Sequence, residues 1–348
     1  MSGGGSGDLS RVMRNRREKL EALRARGVEP FAYSCEVTAR AAPSVAMFEE
    51  AEAAGSLAEG RGSAERWAGR LVGFRSHGRS AFADLEDDTG RIQIYFKRNV
   101  VGDEAFGLLD LLDRGDWIGV EGRLFRTRAG QVTVRADSFR LLAKSLRPLP
   151  LGKVEIDAGT GRARTHSGFA DREGRYRQRY ADLAVNPGVR EVFRLRARVV
   201  SAARRFLDDL GFLEVETPVL QPQYGGASAR PFVTHHNALD RQLYLRIADE
   251  LYLKRLIVGG LDRVYEISKD FRNEGIDRFH NPEFTMLEFY QAFADYEDMM
   301  EQVEQLVVAL AEAANGAPGC DYQGTRIDFA RPFARVRFVD ALGDALGA

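Results

Sequence analysis

The sequence predicts an α+β protein in which a small β-barrel precedes a domain of long helices and one β-hairpin. Between residues 67 and 142, short segments alternate between apolar and polar residues and are separated by glycine-containing turns. After residue 186 the helical period dominates, except for one pair of alternating segments within residues 271–290. This change of pattern predicts two domains with separate cores.

Composition limits the classes of protein that fit. The chain has 348 residues, of which 44% are hydrophobic and 29% charged, as in ordinary globular proteins. Its formal net charge of -1 predicts no overall basic field, so any RNA-binding surface must be local. Cys35 and Cys320 are isolated, which indicates neither a disulfide framework nor a zinc site. Without a signal segment or a run of ~18 apolar residues, we expect a soluble cytoplasmic protein that does not contact membranes.

The helices and strands before residue 144 are predicted from the periodicity of apolar residues and from the glycine and proline residues that interrupt it. Residues 1–66 should form a helical extension with helices over Arg11–Arg26 and Ser44–Leu57. Residues 67–143 should form five strands with a helix before the fourth, the order of an OB-fold barrel that suits oligonucleotides. The expected elements are strands over Trp67–Phe74, Ala81–Leu85, Arg91–Phe96, Trp117–Phe125 and Gln131–Leu142, with the helix over Glu104–Leu112.

Residues 144–185 form a predicted linker rich in Pro, Gly and Arg. The overlapping run 172–205 holds ten arginines against three acidic residues, which fits either a solvated helix surface or a local RNA-binding surface. A long helix is expected over Pro187–Leu210, followed by a strand over Phe212–Glu216.

The segment FRNEGIDRFHNPEFTMLEFY, residues 271–290, predicts two antiparallel strands joined by a long loop over 275–282. A period of two places Arg272 and Glu274 on one face of the first strand. The second strand should present Phe284, Met286, Glu288 and Tyr290 on one face. In an ordinary amphipathic hairpin Glu288 would face water. A single Glu within an aromatic row, beside a loop that carries Arg278 and His280, instead favours a site for a phosphate and an ammonium group.

These residues resemble motif 2 of the class II lysyl-tRNA synthetases, which the quoted FRNEG and HNPEFTMLEFY match. The resemblance continues in order through RREKLEALRARGVEPF, SAFADLEDDTGRIQIYF, RPLP, RYRQRY, RRFLDDLGFLEVETPVLQP, ARPFVTHHNALD and LRIADELYLKRLIVGG. It implies an OB-fold anticodon-binding domain over 67–143 and a catalytic domain over 186–348, an antiparallel sheet flanked by helices. It also implies a homodimer through the motif 1 region, 187–218, although this helix and strand fit burial within one chain as well. Motif 3 of the family lies beyond residue 348, so the resemblance implies a chain truncated before it.

The resemblance implies ATP-dependent activation of L-lysine to lysyl-adenylate, followed by transfer to tRNA(Lys). Arg272 would be the catalytic residue and would bridge the α-phosphate and the lysine carboxylate. Glu274 and Asn281 would recognise the adenine edge, Phe284 would stack on the ring, and His280 would reach the terminal phosphates. The full ATP-binding set would be Arg272, Asn273, Glu274, His280, Asn281 and Phe284. The carboxylates that hold Mg²⁺ are expected beyond residue 348, so no metal ligand is assigned.

Lysine carries a second ammonium group, and burying it requires an anionic partner. Glu250 with the Tyr290 hydroxyl is assigned to the side chain, and Glu288 to the α-ammonium. The lysine-binding set implied by the resemblance is Gly226, Glu250, Arg272, Glu288 and Tyr290.

On the barrel, Phe82, Gln93 and Gln131 match positions that contact the anticodon in the family, although the pattern alone would make Phe82 a core residue. The chain departs from the family at Gln131, where Glu is usual, and at Phe279, where Arg is common. It departs again at Asp249, where Pro is common, and in the extra residues 154–166.

Two alternatives belong to other classes. The first is a non-catalytic tRNA-binding or regulatory module built from the same parts. The second is an aspartyl- or asparaginyl-type synthetase, against which the HNPEFT motif, Glu288 and Tyr290 speak.

Overall fold

The structure is a computed structural model that describes residues 5–56, 64–156, 163–166 and 169–347. The chain divides into two compact units, residues 1–187 and 188–348. Among the described residues, no helix combines the length and apolar character that crossing a membrane requires.

Two helices open the first unit, α1 (Gly5–Ala25) and α2 (Ala41–Ala53). The first helix begins earlier than the predicted Arg11. The second begins and ends earlier than predicted, and it ends early because Gly55 adopts a left-handed conformation (φ +66°) that stops the helix. The predicted end of this helix, Leu57, and the first four residues lie outside the described residues.

A closed five-stranded barrel follows, with strand order β1-β2-β3-β5-β4. All neighbouring strands are antiparallel except β3 and β5, which are parallel. This confirms the predicted OB-fold order, including helical turns between the third and fourth strands. The elements are β1 (Glu65–His77), β2 (Ser80–Glu86), β3 (Arg91–Lys97), α3 (Arg98–Val101), α4 (Asp103–Leu108), a 3₁₀ turn (Leu109–Leu111), β4 (Trp117–Arg126) and β5 (Val132–Ala143).

The barrel core consists of the alternate residues that face inward. Leu71, Ile94 and Ile118 are almost fully buried there, and Leu23 of α1 belongs to the same cluster. Burial of such side chains stabilises a fold by roughly 1.5–3 kcal/mol each. The other alternate residues point away from this core.

The predicted linker contains regular structure. Strands β6 (Lys153–Ile156) and β7 (Ala163–His166) pair antiparallel within the region of the extra residues 154–166, of which 157–162 lie outside the described part. Helices α5 (Arg172–Arg177) and α6 (Arg179–Val185) follow. The buried carboxylate of Asp182 joins them by accepting a hydrogen bond from Arg175 Nε at 2.7 Å and pairing with Arg179.

The second unit contains two three-stranded sheets, with orders β10-β11-β9 and β13-β12-β8, and the hairpin β14-β15. The predicted long helix is present, whereas the strand expected over 212–216 is reduced to two residues. The elements are α7 (Pro187–Asp209), β8 (Leu213–Glu214), β9 (Leu220–Gln221), β10 (Val233–His236), a 3₁₀ turn (Asn237–Leu239), β11 (Arg241–Leu245), α8 (Glu250–Val258), β12 (Arg263–Phe271), β13 (Glu283–Gln291), α9 (Tyr296–Asn315), β14 (Gly319–Tyr322), β15 (Thr325–Asp328) and α10 (Phe338–Leu346).

The hairpin of β12 and β13 has one apolar and one polar face. On the apolar face, Tyr265, Leu287 and Phe289 pack with Leu207 of α7 and with Phe212. Because side chains alternate across a strand, the residues between them point to the opposite face. That polar face carries the candidate site.

Candidate active site

The register of the hairpin sets the order of the polar face. Asp270 pairs with Phe284, Ser268 with Met286, and Glu266 with Glu288. Directly opposite residues in an antiparallel pair have side chains on the same side. The four residues Phe284, Met286, Glu288 and Tyr290 therefore share one face, in the arrangement expected from the sequence.

The prediction that Arg272 and Glu274 belong to the first strand is wrong, because β12 ends at Phe271. The Arg272 backbone N–H still donates to Pro282 O at 2.8 Å, but the next two amides turn away from the ladder. Asn273 N donates to Arg230 O at 2.7 Å, and Glu274 N donates back to Arg272 O at 2.9 Å. The chain leaves the sheet here because the peptide of Arg230, rather than β13, takes the next hydrogen bond.

The Arg272 side chain packs against an aromatic ring, and its buried Nε atom has no polar partner among the described residues. Its guanidinium carbon lies 5.0 Å from the centre of the Phe284 ring, a cation–π arrangement. The Nε atom is buried and has no hydrogen-bond acceptor among the described residues. A buried donor without an acceptor costs about 1–3 kcal/mol. An anion placed against this guanidinium would remove that cost.

A cavity of about 210 Å³ opens beside Arg272 and is lined by the loop that joins the two strands. Glu274, His280, Asn281 and Phe284 all contribute to its wall. Within the loop, Asp277 accepts hydrogen bonds from the backbone of Phe279 and His280 and contacts His280 Nδ1 at 2.7 Å. These hydrogen bonds hold the pKa of Asp277 below its ordinary value.

A second group of side chains surrounds Glu250, at the start of α8. Gly226 has φ +87°, and a Cβ atom there would lie 2.9 Å from Glu250 Cβ, so only glycine fits. Glu250 Oε1 accepts a hydrogen bond from Lys254 Nζ at 2.6 Å, and that ammonium lies 5.9 Å from the centre of the Tyr290 ring. The Tyr290 hydroxyl donates to Glu288 Oε2 at 3.1 Å. The predicted lysine-binding residues other than Arg272 therefore form one connected group.

A buried acidic cluster lies beneath this group and was not predicted from the sequence. Arg246 Nη1 contacts Glu266 Oε1 at 2.7 Å and Asp249 Oδ1 at 3.1 Å, and its Nε lies 3.3 Å from Asp270 Oδ1. The contact with Asp249 lacks hydrogen-bond geometry, so Asp249 Oδ1 has no donor among the described residues. Asp270 Oδ2 also has no donor among them. The position of Asp249, where the family commonly has Pro, was the one signal that could have revealed the cluster.

Burial perturbs the titration of this cluster. Desolvation is the main cause that raises the pKa of Asp249 to about 7, and the charge of Asp270 adds to it against the hydrogen bond from Ser268. Desolvation likewise raises the pKa of Asp270 to about 6, opposed by Arg246 and reinforced by Glu288. Burial and the neighbouring Glu288 raise the pKa of the Tyr290 hydroxyl, which stays protonated and able to donate.

Two places among the described residues offer carboxylates to a metal ion. Oxygens of Asp249, Asp270 and Glu288 lie within 4.8 Å of one another, a spacing that a cation could bridge, but Arg246 already brings a positive charge to two of them. In the lining of the loop cavity, Glu274 is the one carboxylate among the described residues. Mg²⁺ on ATP usually takes one or two carboxylates besides the phosphates. Glu274 would therefore supply one carboxylate to such an ion from the described lining of the loop cavity.

The structure brings the predicted site residues together in two sets. Arg272, Glu274, His280, Asn281 and Phe284 surround the loop cavity, whose described lining does not include Asn273. The second set is the group around Glu250. The charges of Glu288 and Arg272 shift the pKa of Asp270 in opposite directions, so this carboxylate is electrostatically coupled to one member of each set.

The barrel carries its own candidate surface. Phe82 lies directly opposite Tyr95 across β2 and β3, with ring centres 4.8 Å apart, and Phe125 of β4 follows at 6.0 Å from Tyr95. Gln93 is buried and its amide oxygen accepts from Thr133 at 3.0 Å, whereas Gln131 is exposed beside β5. The sequence reasoning missed Tyr95 and Phe125, although the period of two from Gln93 identifies Tyr95 as its neighbour on the outer face.

Comparisons with known proteins agree with both units. Residues 171–346 match the family model for tRNA synthetases class II (D, K and N), and residues 66–142 match the OB-fold nucleic acid binding domain. Among similar proteins, the lysine–tRNA ligase of Pelotomaculum thermopropionicum is 51% identical over 335 residues, which cover 96% of this chain and 62% of that protein. The lysine–tRNA ligase of Carboxydothermus hydrogenoformans is 49% identical over 340 residues, 98% of this chain and 65% of its own length.

The lysine–tRNA ligase of Thermoanaerobacter pseudethanolicus is 46% identical over 344 residues and is covered over 64% of its length. This chain thus spans slightly less than two thirds of these relatives. The class II model matches about half of the chain, including the polar hairpin face and its loop. The chain therefore belongs to the class II tRNA synthetases of the D, K and N group.

Proposed function

We propose that the chain acts in a lysyl-tRNA synthetase, which activates L-lysine with ATP and transfers the lysyl group to tRNA(Lys). The observation that carries the proposal is the buried Nε of Arg272, which has no acceptor among the described residues and belongs to a side chain that lines the loop cavity. The similar lysine–tRNA ligases support the choice of amino acid. The reaction takes place in the cytoplasm, with the tRNA.

The first step is in-line attack of a lysine carboxylate oxygen on the α-phosphorus of ATP. The new P–O bond forms as the bond to the bridging oxygen breaks, and pyrophosphate leaves with that electron pair. Arg272 holds both anions together and stabilises the charge that develops on the α-phosphate. No nucleophilic side chain is needed. The walls of the loop cavity receive the nucleotide, with Phe284 against adenine, Asn273, Glu274 and Asn281 around it, and His280 at the phosphates.

Lysine is distinguished by the anionic partners available to its two ammonium groups. Glu250 and Tyr290 receive the side-chain ammonium, and Glu288 receives the α-ammonium. The nearby Asp249 and Asp270 add negative charge at this end of the site. An aspartate substrate would place its carboxylate among these acids, and such repulsion disfavours the aspartyl-type alternative.

The remaining parts of the proposal concern Mg²⁺, tRNA and the partner subunit. Mg²⁺ accompanies ATP, and no step assigned to the present residues depends on its position. Phe82, Gln93 and Gln131, joined by Tyr95 and Phe125, bind anticodon bases by stacking and polar contact, with stacking worth about 1–3 kcal/mol per base.

The motif 1 region, 187–218, forms a homodimer interface. In support, Val192 and Leu213 of that region are 63% and 52% exposed despite being apolar.

The proposal is tested by binding of a non-hydrolysable analogue of lysyl-adenylate, measured by calorimetry. Replacing Arg272→Ala should weaken binding by at least about 100-fold, because a hydrogen-bonded charge contact to the phosphate is lost. The matched control is Arg326→Ala on β15, an exposed arginine 3.8 Å from Asp321, which should leave binding unchanged. Lysine-dependent exchange of pyrophosphate into ATP provides the catalytic readout.

Three outcomes separate the alternatives. Binding of the lysyl analogue that depends on Arg272 supports the synthetase. Tighter binding of the aspartyl or asparaginyl analogue would overturn the lysine assignment. Binding of tRNA(Lys) without binding of any aminoacyl-adenylate analogue would indicate the non-catalytic module instead.

A further inference from the structure

A basic groove lies at the open end of the β2–β3 hairpin of the barrel. This cavity, here named the hairpin-end groove, has a volume of about 630 Å³. The cationic residues in its lining are Arg79, Lys97 and Arg98. Arg79 and Lys97 are exposed, and Arg98 is fixed by its contact with the ring of Phe106 at 5.0 Å. None of these residues was assigned a role from the sequence.

The positive charge of the groove is only partly neutralised. Asp103 is the one acidic residue in the described lining, and it lies 3.5 Å from Arg98 Nε. The side chains of Arg79 and Lys97 form no ion pair or hydrogen bond with any residue that the structure describes. Two cations held close together without counter-charge raise the local potential and attract an anionic ligand.

The arginine-rich run over 172–205 differs in this respect. Several of its guanidinium groups face carboxylates of the chain, as with Arg175 on Asp182, Arg194 on Glu191 and Arg204 on Glu214. Such contacts are typical of a solvated helix surface, which is one of the two interpretations of this run, and less typical of an RNA-binding surface. The hairpin-end groove is therefore the better candidate for a local basic surface.

The groove is continuous with the aromatic surface of the barrel. Lys97 is two residues beyond Tyr95 on β3, so both point outward about 7 Å apart along the strand. Phe82 and Tyr95 face each other, and the same row continues to Arg75 on β1 and Arg135 on β5. Like Arg79, both arginines are exposed and have no partner among the described side chains. The stacked rings are thus bordered by cations on both sides and at one end.

We propose that the hairpin-end groove binds phosphates of an RNA strand whose bases stack on Phe82 and Tyr95, an inference that rests on the proposed binding of tRNA(Lys). Bases need an aromatic surface, and the phosphates that connect them need cations within a nucleotide's reach. The groove supplies these cations next to the aromatic surface formed by Phe82 and Tyr95. An acidic protein would use the cations but not the paired rings, so the combination favours RNA.

The test separates phosphate contacts from base contacts. The double variant Arg79→Gln/Lys97→Gln is titrated with the isolated anticodon stem-loop of tRNA(Lys) at several salt concentrations. We expect the dissociation constant to rise on the order of tenfold at about 0.1 M salt. The slope of log affinity against log salt should become shallower by about 1.4, or 0.7 for each lost phosphate contact to a single strand.

Two matched variants control for misfolding and for a general loss of positive charge. Arg79→Lys/Lys97→Arg keeps both charges and should bind normally, which would rule out misfolding as the cause. Arg241→Gln/Arg326→Gln removes two exposed charges from the second unit and should not change stem-loop binding. The preference for the lysine anticodon over an altered one should be unchanged in the double glutamine variant, whereas Phe82→Ala should reduce it.

An unchanged salt slope in the double glutamine variant, while Phe82→Ala weakens binding, would overturn the phosphate role and leave the proposed function standing. Loss of anticodon preference in the double glutamine variant would also overturn it, because the residues would then read bases. Failure of the unaltered chain to bind the stem-loop would contradict the proposed tRNA function and this inference with it.

Discussion

Replacing Asp249→Asn should stabilise the second unit, and the gain should grow as pH rises. Asp249 is fully buried, and its Oδ1 has no hydrogen-bond donor among the described residues although Arg246 lies 3.1 Å away. Asn has nearly the same shape and carries no charge. Its side-chain oxygen can accept the hydrogen bond that Ser268 Oγ donates to Asp249 Oδ2 at 2.7 Å.

The magnitude follows from the raised pKa. Burial moves the pKa of Asp249 from 3.8 to about 7, and each unit corresponds to 1.36 kcal/mol, which gives a penalty of about 4 kcal/mol at high pH. Between the two pKa values the folded protein keeps a proton that the unfolded chain releases. The free energy of unfolding therefore falls as pH rises through this range and levels off above about pH 7. About 2 kcal/mol of the change falls between about pH 5.5 and 8.5.

The assay is urea unfolding followed by circular dichroism at about pH 5.5 and 8.5, combined with hydrogen exchange of peptides from β12 and β13. Both tryptophans, Trp67 and Trp117, lie in the barrel, so their fluorescence reports on the first unit separately. Glu283→Gln, which alters an exposed carboxylate on the same hairpin, serves as the control.

A gain from Asp249→Asn that is equal at both pH values, or a loss at the higher pH, would refute the reasoning. Asp270→Asn should act in the same direction, because the pKa of Asp270 is also raised, to about 6. The double variant should gain less than the sum of the single variants, since each substitution removes a charge that burdens the other group.

Three further predictions concern the proposed lysine site. Gly226→Ala should weaken binding of the lysyl-adenylate analogue and lower the free energy of unfolding by about 1–3 kcal/mol, because Cβ would meet Glu250 in a left-handed backbone; calorimetry and urea titration measure the two effects. Lys254→Met should tighten binding of free lysine by up to about fivefold, because the substrate ammonium no longer competes with an exposed ion pair at Glu250; unchanged or weaker binding would contradict the competition. Norleucine, which lacks the second ammonium, should be rejected by about 10⁴-fold in pyrophosphate exchange, and ornithine, which keeps it, by only about 10- to 200-fold; the reverse order would argue against a buried ammonium site.

The barrel and the polar face of the hairpin were predictable because the alternation of apolar and polar residues along each strand determines which side chains share a face. A period of two fixes which residues of β3 and β13 face outward, whatever the distant contacts are. The end of β12 was not predictable, because it depends on Arg230, about forty positions earlier in the chain, which accepts the amide hydrogen of Asn273. The proposed residue roles came from the family resemblance rather than from this geometry.

The acidic cluster was hidden for a similar reason. Arg246 and Asp249 lie in the short segment between β11 and α8, whereas Glu266 lies on β12, and each one alone has the sequence features of an ordinary surface charge. Their burial arises only when β12 packs beside the start of α8. The aromatic row of Phe82, Tyr95 and Phe125 also needs four strands, β2, β3, β5 and β4, in register before the rings can meet.

The two faces of the β12–β13 hairpin have opposite effects on folding. The face against α7 stabilises the sheet by burying Tyr265 and Phe289, whereas the other holds carboxylates whose pKa values are raised because their charges are poorly solvated. A cation that binds near Asp249 and Asp270 lowers their pKa values and so recovers part of the electrostatic free energy lost on folding. The α-ammonium assigned to Glu288 is such a cation. Binding of the proposed substrate therefore reduces the electrostatic cost of these buried carboxylates in the free protein. Substrate binding should stabilise the second unit more at pH 8 than at pH 5.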